Sequence, residues 1–299
     1  MILPDFILSS RQNKIWTNIG LDSLEKCANK EAFKNYPHSI TYDFNSRGFR
    51  DDEWPTTLPE LQDSVWCLGG NQTLGTGVPL EHTLVRVLQA KTNMHCINIS
   101  LDGASNEWLS RKAIQILNTI NPTVIIIDWK TPINVELSNA ALADELRQKI
   151  NYFMPIEEQL LRLAHDIMLV EITKQNSQII HIFGPQLQAL VDPTNYIKTL
   201  WNVMRGSSWC HNAPTTLSSL VQLDNTIQSE LRQQNLFNLI EDAIKIQEIP
   251  EMKALHAIFS SITHIKQPFL SLDVGRDSVH YDILTTSKLV EDIMKLIKL

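Results

Sequence analysis

Two stretches of this 299-residue sequence hold residue types whose spacing could do chemistry. The first is Leu68-Gly69-Gly70-Asn71-Gln72-Thr73-Leu74-Gly75-Thr76-Gly77-Val78, directly after the apolar run Val65-Trp66-Cys67. A strand that ends in a glycine turn and runs into a helix is the frame of a nucleophile loop. The position where the nucleophile would sit is Asn71, and a carboxamide nitrogen, delocalised into its carbonyl, is not a useful nucleophile. The second stretch is Asp273-Val274-Gly275-Arg276-Asp277-Ser278-Val279-His280. There Asp277 and His280, at a helix start, have the spacing by which a carboxylate orients one imidazole nitrogen while the other faces a pocket. A structural pair, with Asp277 as a helix cap and His280 exposed, fits the same spacing.

Other chemistries fit the first stretch less well. Gly70 and Gly75 have the glycine spacing of a phosphate loop, but Thr76 and Gly77 stand where Lys and Ser or Thr are required. No glycine spacing over 69–77 fits the dinucleotide fingerprint either. A nucleotide-binding flavodoxin-like domain is therefore the third-ranked possibility. No metal site and no cofactor site is expected. The four cysteines (Cys27, Cys67, Cys96, Cys210) stand far apart with no CxxC pair, which predicts reduced, buried thiols.

The elements that must position these residues follow from periodicity. Ser64–Leu68, His95–Ser100, Thr123–Asp128 and Gln178–Phe183 are short apolar runs bounded by turn signals, and each predicts a buried strand. Helical spacing runs through Leu80, Leu84, Val85 and Leu88, and again from Trp108 to Ile120. It continues over 156–173, through Leu160, Leu161, Leu163, Ala164, Ile167, Met168 and Val170. A C-terminal amphipathic helix is expected over 281–299, with Ile283, Leu284, Leu289, Val290, Ile293, Met294 and Ile297 facing inward. Further helical pieces are expected over 235–247 and 251–263. Strands alternating with helices imply right-handed βαβ units and a mostly parallel sheet covered on both faces. The expectation is one α/β domain over 61–299, with a lead segment over 1–60 packed on it and a partly helical insertion or cap over 186–262.

In such sheets ligands sit at the carboxyl ends of the strands. Asp102-Gly103-Ala104-Ser105-Asn106 would stand there beside the first stretch. Trp108 or Trp129 could offer a stacking face there, the alternative for most of the seven tryptophans being core or cap packing. His211 and Asp43 are expected to be solvated. A net charge of -7 without Lys/Arg runs argues against a nucleic-acid binder. No run approaches the length of a membrane span. The N-terminus lacks the basic and apolar regions of a signal peptide. A soluble protein made in the cytoplasm is expected.

Four blocks in order carry a family resemblance. They are Asn45-Ser46-Arg47-Gly48-Phe49-Arg50-Asp51; Leu68 to Val78; Gly103 within Asn98 to Ser105; and Asp277-x-x-His280. Together they resemble the SGNH (GDSL) hydrolases, a flavodoxin-like α/β/α family of esterases, lipases and sugar deacetylases, in the branch with an N-terminal N-S-x-G-F-R segment. The blocks cover about 42–130 and 271–297. The resemblance places Asn71 at the serine nucleophile, Gly70 at the preceding aspartate, Asp277 and His280 at the rest of the triad, and Asn71 and Gly103 at the oxyanion hole. The family's G-x-N-D block has no counterpart in Asp128-Trp129-Lys130-Thr131-Pro132. The resemblance thus implies a catalytically degenerate member in which Asn71, His280 and Asp277 persist as a hydrogen-bonded trio. It also implies a binding or structural role, as a phage virion component of the tail, neck or capsid surface, with other virion proteins or surface polysaccharide as partners. The alternative is an active esterase or deacetylase of acetylated carbohydrates with a non-serine mechanism. Oligomeric state is left open.

Overall fold

The computed structural model describes residues 6–19, 22–29, 33–34, 40–130, 156–184, 257, 260–266 and 282–297. In chain order these contain β1 (Ile15–Trp16), α1 (Leu24–Cys27), β2 (Tyr42–Asp43), α2 (Leu58–Asp63), β3 (Val65–Gly69), α3 (Asn71–Leu74), α4 (Leu84–Thr92), β4 (Cys96–Ser100), α5 (Asn106–Thr119), β5 (Val124–Trp129), α6 (Ile156–Thr173), β6 (Gln178–Phe183), β7 (His264–Lys266) and α7 (Ile283–Met294). Strands β4-β3-β5-β6-β7 form a parallel five-stranded sheet in that order. Numbered within the sheet this is the 2-1-3-4-5 order of flavodoxin-like folds, whose switch point lies between β3 and β5. The expected fold class is the one observed.

Both faces of the sheet are covered, which explains why its strands are mostly apolar on both sides rather than alternating, with Asn98, Ser100, Asp128 and His181 as buried polar exceptions. On one face Trp66, Leu68, Ile97, Ile125 and Ile127 pack against Leu109, Ala113, Ile116 and Leu117 of α5 and Leu163, Ile167 and Val170 of α6. On the other, Val65, Cys67, Cys96, Val124, Ile126 and Ile180 pack against Val85 and Leu88 of α4 and Leu289, Val290 and Ile293 of α7. The described cysteines Cys27, Cys67 and Cys96 are free and buried. Burial pushes the Cys96 thiol up to about 12 and Cys67 up as well, which makes both unreactive hydrophobes. Among the described residues no helix is long and apolar enough to cross a membrane.

Several expectations need correcting. β7 was not anticipated: His264-Ile265-Lys266, three residues long, directly follows the helical piece expected over 251–263. The helix expected from Leu80 begins at Leu84, because Thr83 caps it by accepting from the Arg86 N–H, while Leu80–His82 form a separate 3-10 turn. Leu284 does not face inward but is exposed. The buried face of α7 runs through Thr285, Thr286, Leu289, Val290 and Ile293, and Leu284 and Met294 fall outside it. Leu161 and Met168 are likewise on the outer side of α6.

The lead motif Asn45 to Asp51 is structural throughout. Asn45 Oδ1 accepts from the Arg47 and Phe49 N–H groups at 3.0 and 3.1 Å and closes the turn. Phe49 is buried against Trp54. Arg50, 1% exposed, donates to the carbonyls of Thr41 (3.3 Å), Leu74 (3.2 Å), Val78 (2.9 Å) and Gly75, and lies over the Tyr42 ring. Burial pulls its guanidinium down to about 10, so it stays charged at neutral pH. Asp51 accepts from the Asn98 backbone N–H at 2.9 Å, and Gln89 Oε1 accepts from the Cys96 N–H at 3.0 Å. These two acceptors satisfy N–H groups on the open side of the edge strand β4, which would otherwise template pairing with another chain.

Replacing Arg50 by Met would leave buried carbonyls without donors. A loss of about 3 kcal/mol is expected, since hydrogen bonds to charged groups are worth roughly 1.5–3 kcal/mol each and only part is recovered by relaxation. Urea unfolding measures it, and a loss under about 1 kcal/mol would show that Arg50 does not hold the loop.

Candidate functional site

The site is built at the carboxyl ends of β3, β4 and β5, around the switch point. β3 ends at Gly69, Gly70 turns the chain, and Asn71 opens the single helical turn α3. Leu74 N–H bonds back to Gly70 O at 2.8 Å. The turn stops at Gly75, whose φ of +77° lies in the left-handed region and whose N–H returns to Asn71 O and Gln72 O. A Cβ there would stand 2.3 Å from Thr83 Cγ2, so both backbone and space demand glycine. The strand–turn–helix frame of a nucleophile loop is therefore present.

What fills that frame is an internal hydrogen bond. Asn71 Oδ1 accepts the Gly103 backbone N–H at 3.2 Å. Gly103, with φ +76°, presents that N–H from the loop after β4. An amide oxygen of the protein itself thus occupies this backbone donor. Of the four sequence-predicted site residues, the structure brings Asn71 and Gly103 together; Asp277 and His280 lie outside the described residues.

A second group of residues was not anticipated. Lys130 Nζ pairs with Asp128 Oδ2 at 2.6 Å, and the two side chains are 15% and 3% exposed. The same oxygen accepts from Thr73 Oγ1 at 3.1 Å, so the Thr73 hydroxyl turns toward the sheet. The Lys130 chain crosses directly over Gly70: a Cβ on Gly70 would lie 2.5 Å from Lys130 Cε and 3.3 Å from its Nζ. The lysine is held there by its backbone. Asn106, buried at the start of α5, accepts from Lys130 N–H at 2.8 Å and donates to Lys130 O at 3.0 Å. Nothing in the spacing of Gly70 and Lys130, on separate loops, announces that one must be small because the other lies across it.

The proposed stacking tryptophans are not available. Trp129 is 1% exposed and Trp108 5%, both within the core on the α5–α6 side of the sheet. Strand register turns Trp129 into that layer, where its indole N–H donates to His181. Asp43 is exposed, as expected, and His211 lies outside the described residues. One further pair joins this edge of the sheet to the C-terminal helix: His82 Nδ1 stands 3.0 Å from Asp282 Oδ1, and Asp282 also caps Ile283 N–H. The two residues are 200 positions apart, and no sequence signal links them.

None of the protein-family models matches the chain, and no curated protein does. Among solved structures the chain is similar to TesA, at 11% identity over 78% of this chain and 96% of that one, with a TM-score of 0.40. It is also similar to a carbohydrate esterase family 2 enzyme plus carbohydrate binding domain from Corynascus thermopiles (Myceliophthora fergusii), at 12% identity over 82% and 67%, with a TM-score of 0.41. A third is a carbohydrate acetylesterase family member from Sinorhizobium meliloti, at 13% identity over 78% and 98%, with a TM-score of 0.38. Likenesses this distant assign no role to any residue of this chain.

The crossing of Lys130 over Gly70 makes a quantitative prediction. Gly70→Ala should cost about 1–2 kcal/mol, because the lysine must move and its contact with Asp128 is strained. In a Lys130→Ala background the same change should cost under about 0.5 kcal/mol, a coupling that a double-mutant cycle in urea measures directly. Additive costs would mean that the two residues do not share the space.

Proposed function

We propose that this chain is an SGNH-hydrolase-like protein whose ester-cleaving site is disabled, and that it acts by binding or assembly rather than by hydrolysis. The observation that carries this reading is the hydrogen bond from Gly103 N–H to Asn71 Oδ1. It combines two losses in one residue. The position of attack holds a carboxamide, and the donor that would stabilise a tetrahedral intermediate is already occupied. Loss of a triad nucleophile costs about 10⁶ in kcat, equivalent to about 8 kcal/mol of transition-state stabilisation. The lysine lying across Gly70 supports the same reading, since it takes the space where the family carries an aspartate. Placement in a virion has only the resemblance of the lead segment behind it, since the roles of Asn45, Phe49, Arg50 and Asp51 are accounted for by folding.

The purified protein should hydrolyse p-nitrophenyl acetate and acetylated sugars no faster than its Asn71→Ala variant. Clear wild-type turnover that disappears in His280→Ala would overturn the proposal in favour of a non-serine hydrolase. Asn71→Ser should release the Gly103 N–H and supply a hydroxyl at once. Slow ester hydrolysis that depends on His280 is the expected gain, read from the same assay.

A further inference from the structure

Behind the site, three side chains form a hydrogen-bonded chain that the proposed function does not use. Trp129 Nε1 donates to His181 Nδ1 at 2.7 Å, and His181 Nε2 stands 2.9 Å from Glu171 Oε1 on α6. Glu171 also accepts from Lys174 at the surface. His181 is fully buried, and Glu171 is 18% exposed. The indole is a donor only, so His181 Nδ1 must be the bare, accepting nitrogen, and the proton sits on Nε2, donated to Glu171. A second proton has nowhere to go except Nδ1, where it would point at the indole N–H.

We propose that His181 is a pH-sensitive latch on the β5 end of the site: protonation breaks its bond to Trp129 and loosens Asp128-Trp129-Lys130. The two residues flanking Trp129 are those that fill the site. Asp128 and Lys130 form the ion pair beside Gly70, so the latch acts on the lysine through one neighbouring peptide on either side. The charged and titratable groups facing His181 are Glu171 and Lys174 on α6 and His264 on β7. Burial holds the imidazole below its ordinary 6.5, with Glu171 opposing and Lys174 and His264 adding to the depression. The sign follows. The unfolded chain takes up this proton near pH 6.5 and the folded chain only at lower pH, so stability falls as pH drops through the interval between the two values. Below the folded value the loss from this group is complete. Glu171, held below its ordinary 4.5 by its hydrogen bonds with His181 and Lys174, adds a separate loss as pH falls below 4.5.

His181→Gln tests the latch, because the glutamine amide can accept from Trp129 and donate to Glu171 but cannot titrate in this range. The urea midpoint of the wild type should fall from about pH 6.5 to about pH 5 more steeply than that of His181→Gln. As pH is lowered further, through the titration of His181 in the folded chain, the wild-type Trp129 indole N–H resonance should move, and the Lys130 amide should lose protection from hydrogen exchange relative to its intrinsic rate. Equal slopes in the two proteins would overturn the latch. So would a Trp129 indole resonance that stays fixed down to the pH at which the protein unfolds, a measurement on the wild type alone that decides the matter if the variant does not fold.

Discussion

A guanidinium buried among carbonyl oxygens holds this site together. Arg50 reaches Leu74, Gly75 and Val78 on one loop and Thr41 on another, and it is 1% exposed. Irregular backbone near a covered sheet carries polar groups that helix and strand do not satisfy, and each such group needs a partner. A fork of rigid donors can satisfy several of them from one side chain, which lysine could not do with the same geometry. Tyr42 completes the arrangement: its hydroxyl accepts the Gly77 N–H and donates to Asp22, while its ring lies beneath the guanidinium. The loop between β3 and α4 keeps its shape whether or not chemistry is done on it.

The same logic runs through Gly70, Lys130 and Asn71. A bare glycine would leave a gap at the switch point, and a lysine without its partner would leave a buried charge. Here the gap is filled by the lysine chain and the charge is met by Asp128, itself bonded to Thr73. Asn71 in turn gives the Gly103 N–H an acceptor inside the protein. Each of these described groups has an internal partner. That is the condition of a polar cluster that contributes to folding rather than waiting for a ligand.

Legibility in the sequence tracked how local each signal was. The strands at Val65, Cys96, Val124 and Gln178 were visible because doubly covered strands are mostly apolar on both sides, and their β-branched content sets them apart from helices. β7 was not, since its three residues, His264-Ile265-Lys266, hold a single apolar side chain. The outward turn of Leu284 was hidden because an isolated leucine on a helix is often exposed and periodicity does not fix the phase of a short helix. Asn71 and Gly103 were legible as members of a turn and a loop. Their bond to each other needed the register of β3 against β4. Lys130 over Gly70, Asn106 holding Lys130, and His181 between Trp129 and Glu171 are all contacts between elements far apart in sequence, and single-residue type says nothing about them.

The central claim is that Asn71 occupies the donor a substrate would need. Hydrogen exchange at the Gly103 amide, followed by solution NMR in the wild type and in Asn71→Ala, tests it most directly. Gly103 should be protected in the wild type, and its protection should fall about tenfold in the variant, the worth of one net hydrogen bond. A Gly103 amide that exchanges equally fast in both proteins would contradict the claim.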